Sequence, residues 1–231
     1  MPVVTLTGKL GSGAREVGET VAGLLGVDFV DQQIMVEAAQ RCGVPVGAVA
    51  EHDERRGSLR ERLSATLRTF LERSAASGAD PLTGATGLET LLSRTYAEMA
   101  AHEEPQVSDR LYLETVTAII RELTQRGDIV VLGRGSQMIL RDLPGALHVL
   151  CVAPKELRVR RLAQREGLSL QEAGRRLLEG DRARCAFYKK FWKVEVEDPY
   201  LYDLTVETSR LGIELAAELV ASAARAKAAA R

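Results

Sequence analysis

Residues 3–15 read Val3-Val4-Thr5-Leu6-Thr7-Gly8-Lys9-Leu10-Gly11-Ser12-Gly13-Ala14-Arg15. Val3 to Thr7 is β-branched and apolar, which predicts a short buried strand. Gly8 to Gly13 follows as a loop. A helix is predicted from about Arg15 to Leu25, ended by Gly26. Glycines let backbone amides crowd round an anion in conformations that a Cβ forbids. The first turn of the next helix adds free N–H groups and a partial positive charge. By its chemistry the stretch is a phosphate-binding arrangement.

The general phosphate-loop pattern is G-x-x-x-x-G-K-[ST]. Gly8 and Gly13 have that separation, but Ala14 and Arg15 stand where Lys and Ser or Thr belong. Arg15 at the mouth of the helix meets the charge requirement, with Lys9 as a second cation in the loop. Without the hydroxyl, Mg²⁺ would be held by nucleotide phosphates, water and an acidic side chain. The glycines lack the G-x-G-x-x-G order of a dinucleotide site. Asp31 nevertheless stands at the expected distance for one, so at this level NAD binding stays open.

Outward from the loop, Asp28 to Asp31 reads as a second extended segment and Gln32 to Cys42 as a helix. Ser58 and Glu61 have capping-box spacing and open a helix to about Ser74. A loop of small residues, 76–87, leads to a helix predicted over 88–101. Another amphipathic helix covers 108–125. Asp128 to Leu132 and Leu147 to Val152 are core strands, and Pro154 opens a helix from Lys155 to Arg165. Ser169 and Glu172 cap a helix ending near Leu178. Leu204 to Glu207 is a last strand, followed by a helix over 211–228. Strands alternating with helices imply an α/β fold with a parallel sheet covered on both faces. Ligands of such sheets bind outside the C-terminal ends of the strands.

At roughly 150 residues per domain, 231 residues give about one and a half domains: one domain with a sizeable insertion. The charge is balanced, 31 basic against 32 acidic residues. A globally basic nucleic-acid surface is therefore excluded. Arginine supplies 25 of the basic residues, a side chain suited to bidentate phosphate binding. Cys42, Cys151 and Cys185 form no metal-ligand or disulfide framework, and Cys151 reads as a small buried hydrophobe. No metal-ligating residue set is expected. The N-terminus has no secretory pattern, and no apolar run reaches membrane-spanning length. A cytoplasmic protein without membrane or nucleic-acid partners is expected, as monomer or homodimer.

The other polar groups also fall at strand ends. Asp31 follows the second strand and reads as an acceptor- or metal-orienting acid, as a helix cap, or both. Arg134 lies between Gly133 and Gly135 after the strongest strand, which reads as bidentate phosphate recognition, with a surface salt bridge as the plainer reading. Arg158, Arg160, Arg161 and Arg165 share one helix, and Arg175, Arg176, Arg182 and Arg184 follow around a hinge-like 167–180 segment. They suggest a mobile lid over a polyphosphate, with solvated intrachain ion pairs as the plainer reading. Six of the ten aromatic residues fall between Phe187 and Tyr202, and are expected to pack the lid base.

Three motifs now combine: Gly11-Ser12-Gly13-Ala14-Arg15-Glu16, then Gly133-Arg134-Gly135, then Asp181-Arg182-Ala183-Arg184 leading to Tyr202-Asp203-Leu204 and Thr208-Ser209-Arg210-Leu211-Gly212. In order and spacing, over about residues 3 to 220, the chain resembles the cytidylate-kinase-like family, a branch of the nucleoside monophosphate kinases. The resemblance implies a P-loop NTPase-like three-layer fold with a five-stranded parallel sheet. One kinase domain would comprise a core of 1–44 and 106–231, a helical NMP-binding insertion at 45–105 and an arginine-rich lid at 167–200.

The resemblance further implies transfer of the γ-phosphoryl group of ATP, with Mg²⁺, to CMP or dCMP. Gly8, Lys9, Gly11, Ser12, Gly13, Ala14, Arg15 and Glu16 would form the donor site. Arg15 falls in this branch's Gly-Ser-Gly-Gly-Arg pattern, with Ala14 in place of the last glycine. Arg134 matches the arginine near the acceptor phosphate. Arg161, Asp181, Arg182 and Arg184 match lid positions, and Asp31 the acid of a Tyr-Asp-Arg pattern whose neighbours here are Val30 and Gln32. True cytidylate kinases keep the loop lysine, and an acid where Gly135 stands. A non-catalytic nucleotide sensor and a kinase of another small acceptor remain as alternatives.

Overall fold

The structure, a computed structural model, describes residues 2–42, 59–76 and 84–230. Five strands form one parallel sheet: β1 (Val3–Gly8), β2 (Asp28–Val30), β3 (Ile129–Leu132), β4 (Ala146–Val152) and β5 (Leu204–Glu207), in the order β2-β3-β1-β4-β5. The order places β1 at the centre, with every residue buried. Its side chains alternate between two apolar layers, as the twofold period of a strand requires. Val4 and Leu6 face α1 (Ala14–Leu25) and α10 (Thr208–Ala229), packing with Val17, Val21, Ala217 and Val220. Val3 faces the opposite layer, which contains α2 (Gln32–Arg41) and α6 (Val107–Arg126). The sheet thus lies between two helical layers, the three-layer α/β architecture read from the sequence.

Helices α3 (Leu59–Ala76), α4 (Gly84–Ser93) and α5 (Tyr96–Ala100) bury Leu63, Leu67, Leu88, Leu92 and Met99 in the same apolar cluster as Val131 and Ile119. The helix predicted over 88–101 is two helices. Thr95 starts the second with a full capping box, its side chain accepting from the Glu98 N–H while Glu98 accepts from the Thr95 N–H, which ends the helical run before it. The Ser58 half of the predicted cap and most of the 76–87 loop lie outside the described residues.

A four-residue α7 (Ser136–Ile139) follows the Gly133–Gly135 turn. Beyond β4, α8 (Lys155–Glu166) ends at Gly167, left-handed at φ 65°. The capping box at Ser169 opens α9, as the spacing predicts. However, α9 runs from Leu170 to Trp192 instead of ending near Leu178, and Gly180 lies inside it. The predicted hinge therefore contracts to the Gly167 turn. Glycine in a helix interior costs about 1 kcal/mol. Against that cost, Asp181 receives a bidentate bond from Arg158 on α8, and Phe187 and Tyr188 are fully buried. Of the aromatic residues that follow, Phe187 and Tyr188 belong to the core, Phe191 and Trp192 pack against it, and Tyr200 is 95% exposed; Phe187 meets Tyr96 at 4.9 Å and Trp192 at 5.4 Å.

Candidate functional site

At the C-terminal edge of the sheet, a cleft of about 640 Å³ runs from the first glycine loop past Asp31 and Tyr96 to Arg134 and Arg184. Its described lining carries Lys9, Arg15, Arg134, Arg165 and Arg184 against Glu16, Asp31 and Glu166. A chain of net charge −1 therefore concentrates positive charge in this cleft, where low-dielectric walls strengthen attraction for an anion.

The loop is built from behind. Gly11 and Gly13 are left-handed, at φ 75° and 83°, and a Cβ on Gly11 would lie 2.5 Å from the Arg158 carbonyl oxygen of α8. Arg158 Nε donates to the Leu10 carbonyl at 2.9 Å, Arg161 Nη1 to the Gly11 carbonyl at 3.4 Å, and the Thr208 hydroxyl to the Ser12 carbonyl at 2.7 Å. Three successive carbonyls are thereby occupied on the side away from the cleft. Within the loop the Ser12 N–H donates to the Lys9 carbonyl at 3.0 Å; the other loop amides and the N-terminus of α1, which has no side-chain cap, remain to receive an anion.

Gly8, Lys9, Gly11, Ser12, Gly13, Ala14, Arg15 and Glu16 all line the cleft. Lys9 pairs with Glu197 at 2.7 Å. Arg15 Nη1 is bonded to Asp31 Oδ2, and its Nε donates to Glu19 at 3.0 Å. Asp31 also caps α2, its Oδ1 accepting from the Ile34 N–H at 3.0 Å. The cap and the cleft position expected of Asp31 thus hold together.

Arg134 is 5% exposed and left-handed at φ 56°, between two left-handed glycines. A non-glycine residue in this region carries strain that the surroundings must hold. The Tyr96 hydroxyl accepts from its backbone N–H at 3.1 Å, and its Nη1 donates to the Arg94 carbonyl at 3.0 Å and to the Tyr112 hydroxyl at 2.8 Å. Burial pushes the Tyr112 phenol up to about 12 despite the neighbouring guanidinium, so it meets Arg134 as a neutral acceptor. Gly135 is required by packing as well as by its φ of 69°, because a Cβ there would stand 2.2 Å from the Trp192 ring. That contact explains why no acid follows Arg134.

Arg184 lines the same cleft from α9. Its guanidinium lies 5.5 Å from the centre of the Tyr96 ring, and its Nη1 is buried with no hydrogen-bond partner. Two residues expected at the site do not line the cleft. Arg161 turns to the loop backbone and Thr208, and Arg182 is exposed on α9. The shared face of Arg158 and Arg161 faces the loop from behind.

Sequence reasoning missed Tyr96, Tyr112 and the ion-paired group beneath them. Asp109 is 1% exposed and receives Lys190 at 2.9 Å and Arg94 at 2.7 Å. Lys190 also donates to the Met99 carbonyl at 2.7 Å. Burial raises the Asp109 carboxyl, but the bonds from Lys190, the Gln106 N–H and Arg94 outweigh it and hold the group below the usual carboxylate range. Among the described residues, no group of three or more His, Cys, Asp or Glu is placed to hold a metal ion, and no helix is long and apolar enough to cross a membrane.

Comparisons with known proteins agree with this architecture. A cytidylate kinase of Methanopyrus kandleri is 35% identical over 98 residues, covering 39% of this chain and 51% of that protein. A cytidylate kinase of Aeropyrum pernix is 30% identical over 131 residues, covering 56% of this chain and 73% of that protein. The chain thus spans between half and three quarters of the length of these relatives. An uncharacterized protein from Eubacterium ventriosum, 13% identical, shares the fold with a TM-score of 0.64 over 97% of this chain and 99% of its own. The sequence pattern of the cytidylate kinase-like family matches residues 3–210, and on that match the chain belongs to this family.

Proposed function

We propose that the protein transfers the γ-phosphoryl group of ATP to a pyrimidine nucleoside monophosphate, CMP or dCMP. The observation that carries this reading is one cleft holding both an amide-rich loop at a helix N-terminus and, across from it, Arg134 and Arg184. Family membership supports phosphotransferase chemistry of the P-loop kind.

The loop amides hold the donor's β- and γ-phosphates, and Arg15 exchanges Asp31 for a phosphate oxygen. Arg134 and Arg184 receive the acceptor's phosphate. An acceptor oxygen forms the new bond to the γ-phosphorus as the bond to the bridging oxygen of ADP breaks. Charge spread over the equatorial oxygens is met by fixed cations, so positioning and electrostatics supply most of the rate. Arg161 and Arg158 act one layer back by fixing the loop carbonyls, and Arg182 is assigned to lid closure over bound nucleotide. The 45–105 segment is assigned to reading the acceptor base.

The side chains do not fit a resident divalent ion. Ala14 and Arg15 replace the lysine and hydroxyl, and both Asp31 oxygens are engaged. The Mg²⁺ implied by the family is therefore assigned to the nucleotide as ATP–Mg²⁺.

A panel of CMP, dCMP, UMP, AMP, GMP and a shikimate-like acceptor, assayed with ATP–Mg²⁺ for ADP release, tests the reading. Turnover should be fastest with CMP or dCMP. ATP binding with no acceptor-dependent ADP would make the chain a nucleotide sensor, and preference for a non-nucleotide acceptor would replace the substrate class.

A further inference from the structure

Two of the four arginines that line the cleft are matched by carboxylates: Arg15 by Asp31 and Glu19, and Arg165 by Glu166. Arg134 and Arg184 have no carboxylate partner among the described residues, and they come from elements far apart in the chain. Both lie against one aromatic ring, with Tyr96 centred 5.7 Å from the Arg134 guanidinium carbon and 5.5 Å from that of Arg184. The ring's negative face can hold a cation at this range. Two unpaired guanidiniums held by one ring repel each other until an anion joins them.

Tyr96 is itself fixed. Thr95 caps its helix, Phe187 meets its ring edge-on at 4.9 Å, and its hydroxyl accepts from the strained Arg134 backbone N–H at 3.1 Å. The Tyr112 hydroxyl and the Arg94 carbonyl take Arg134 Nη1, while Arg184 Nη1 is buried with no partner in the chain. The unmet donor lies on a residue that lines the cleft.

We infer that Tyr96 is a positioning residue that holds Arg134 and Arg184 as a two-arginine clamp for the phosphate of a monophosphate acceptor. The inference rests on the proposed kinase reading for the identity of the acceptor, but the clamp itself is tested by binding. A ring under two guanidiniums sets their spacing without neutralising them, which a carboxylate in the same place would do. The aromatic group therefore preorganises charge and leaves it free for a dianion.

Trp192 is the single tryptophan and packs on Gly135, next to Arg134, so its emission reports ligand at the turn. Wild type, Tyr96→Phe, Tyr96→Leu, Arg184→Ala and the Tyr96→Leu/Arg184→Ala double variant are titrated with CMP and with cytidine. Tyr96→Leu should weaken CMP binding about tenfold or more, whereas Tyr96→Phe, which keeps the ring, should weaken it about threefold. Cytidine and ATP binding should be unchanged in both. Adding Tyr96→Leu to Arg184→Ala should weaken CMP binding by less than Tyr96→Leu does in wild type, because part of the ring's effect acts through that arginine and the rest through Arg134. In steady-state assays the acceptor KM should rise while the ATP KM holds.

CMP affinity within twofold of wild type in folded Tyr96→Leu overturns the clamp, as do additive effects in the double variant. If Tyr96→Leu does not fold, Tyr96→Phe decides: loss of CMP affinity with cytidine unaffected supports the clamp, and no loss overturns it. CMP binding without turnover removes the kinase reading and leaves the clamp standing. Failure of wild type to bind any monophosphate of the panel overturns both.

Discussion

Replacing Gly11 by alanine adds one methyl group where the phosphate loop meets α8. The new Cβ would lie 2.5 Å from the Arg158 carbonyl oxygen and 3.0 Å and 3.1 Å from its Cα and carbonyl carbon. These are backbone atoms in the first turns of α8, so no side-chain rotation relieves the contact. The residue also sits at φ 75°, where a Cβ costs about 1–2 kcal/mol. Ordinary van der Waals separation requires the loop to move forward by nearly an ångström, taking the Leu10, Gly11 and Ser12 carbonyls off Arg158, Arg161 and Thr208. Charge-assisted bonds from loop amides to phosphate are worth about 1.5–3 kcal/mol each. Loss of one such bond, about 2 kcal/mol, raises the Kd for ATP by about 30-fold.

The control is Gly23, inside α1, where a Cβ would meet nothing within 4 Å. Gly23→Ala should stabilise the fold by about 0.5–1 kcal/mol through helix propensity and leave ATP binding alone. Calorimetric titration of ATP into both variants, with melting curves alongside, makes the comparison. Retention by Gly11→Ala of a Kd within twofold of wild type would refute the reasoning that the loop is a rigid amide cradle backed by α8.

Two further outcomes follow from buried charge. Lys190→Met leaves Asp109 buried with only Arg94 as cation. Breaking such a pair costs about 3–5 kcal/mol, which should lower the melting temperature by roughly 10 °C, with recovery when Asp109→Leu is added. His148 is held below its usual pKa, first by burial and then by Lys227, against an opposing pull from Asp203. A folded value below the unfolded one, about 6.5, means that its contribution is complete above that pH and is lost as pH falls through it. Melting temperatures at pH 8 to 5 should therefore drop more steeply for wild type than for His148→Gln, and parallel curves would remove His148 as the cause.

What could be read from the sequence was whatever chemistry is local. The strand, glycine loop and helix of residues 3–25 are dictated by neighbours within a few positions, and the structure returns them with Gly26 left-handed at the helix end. The three apolar runs that read as a doubly covered sheet are β1, β3 and β4 at its centre. What could not be read depends on partners far along the chain. Gly133 and Gly135 announce a turn around Arg134, but nothing nearby announces that Tyr96, 38 positions away, holds that turn's N–H. Gly180 looks like a break because its propensity is local, while the Arg158–Asp181 bond and the buried Phe187 that override it are tertiary.

The arginines show the same division most clearly. One helix presents Arg158, Arg161 and Arg165, and residue type alone gives them one role. The fold gives them different ones according to which carbonyl or carboxylate lies opposite: Arg158 and Arg161 become loop braces, and Arg165 a rim residue paired with Glu166. Arg134 and Arg184, distant in sequence, converge with their charges unmatched. An arginine already satisfied by the protein has little free energy left to gain from a phosphate, because it must first give up its partner. The unmatched pair has no carboxylate to give up. The functional charge of this cleft is therefore set less by how many arginines the chain carries than by which of them the fold leaves without a carboxylate.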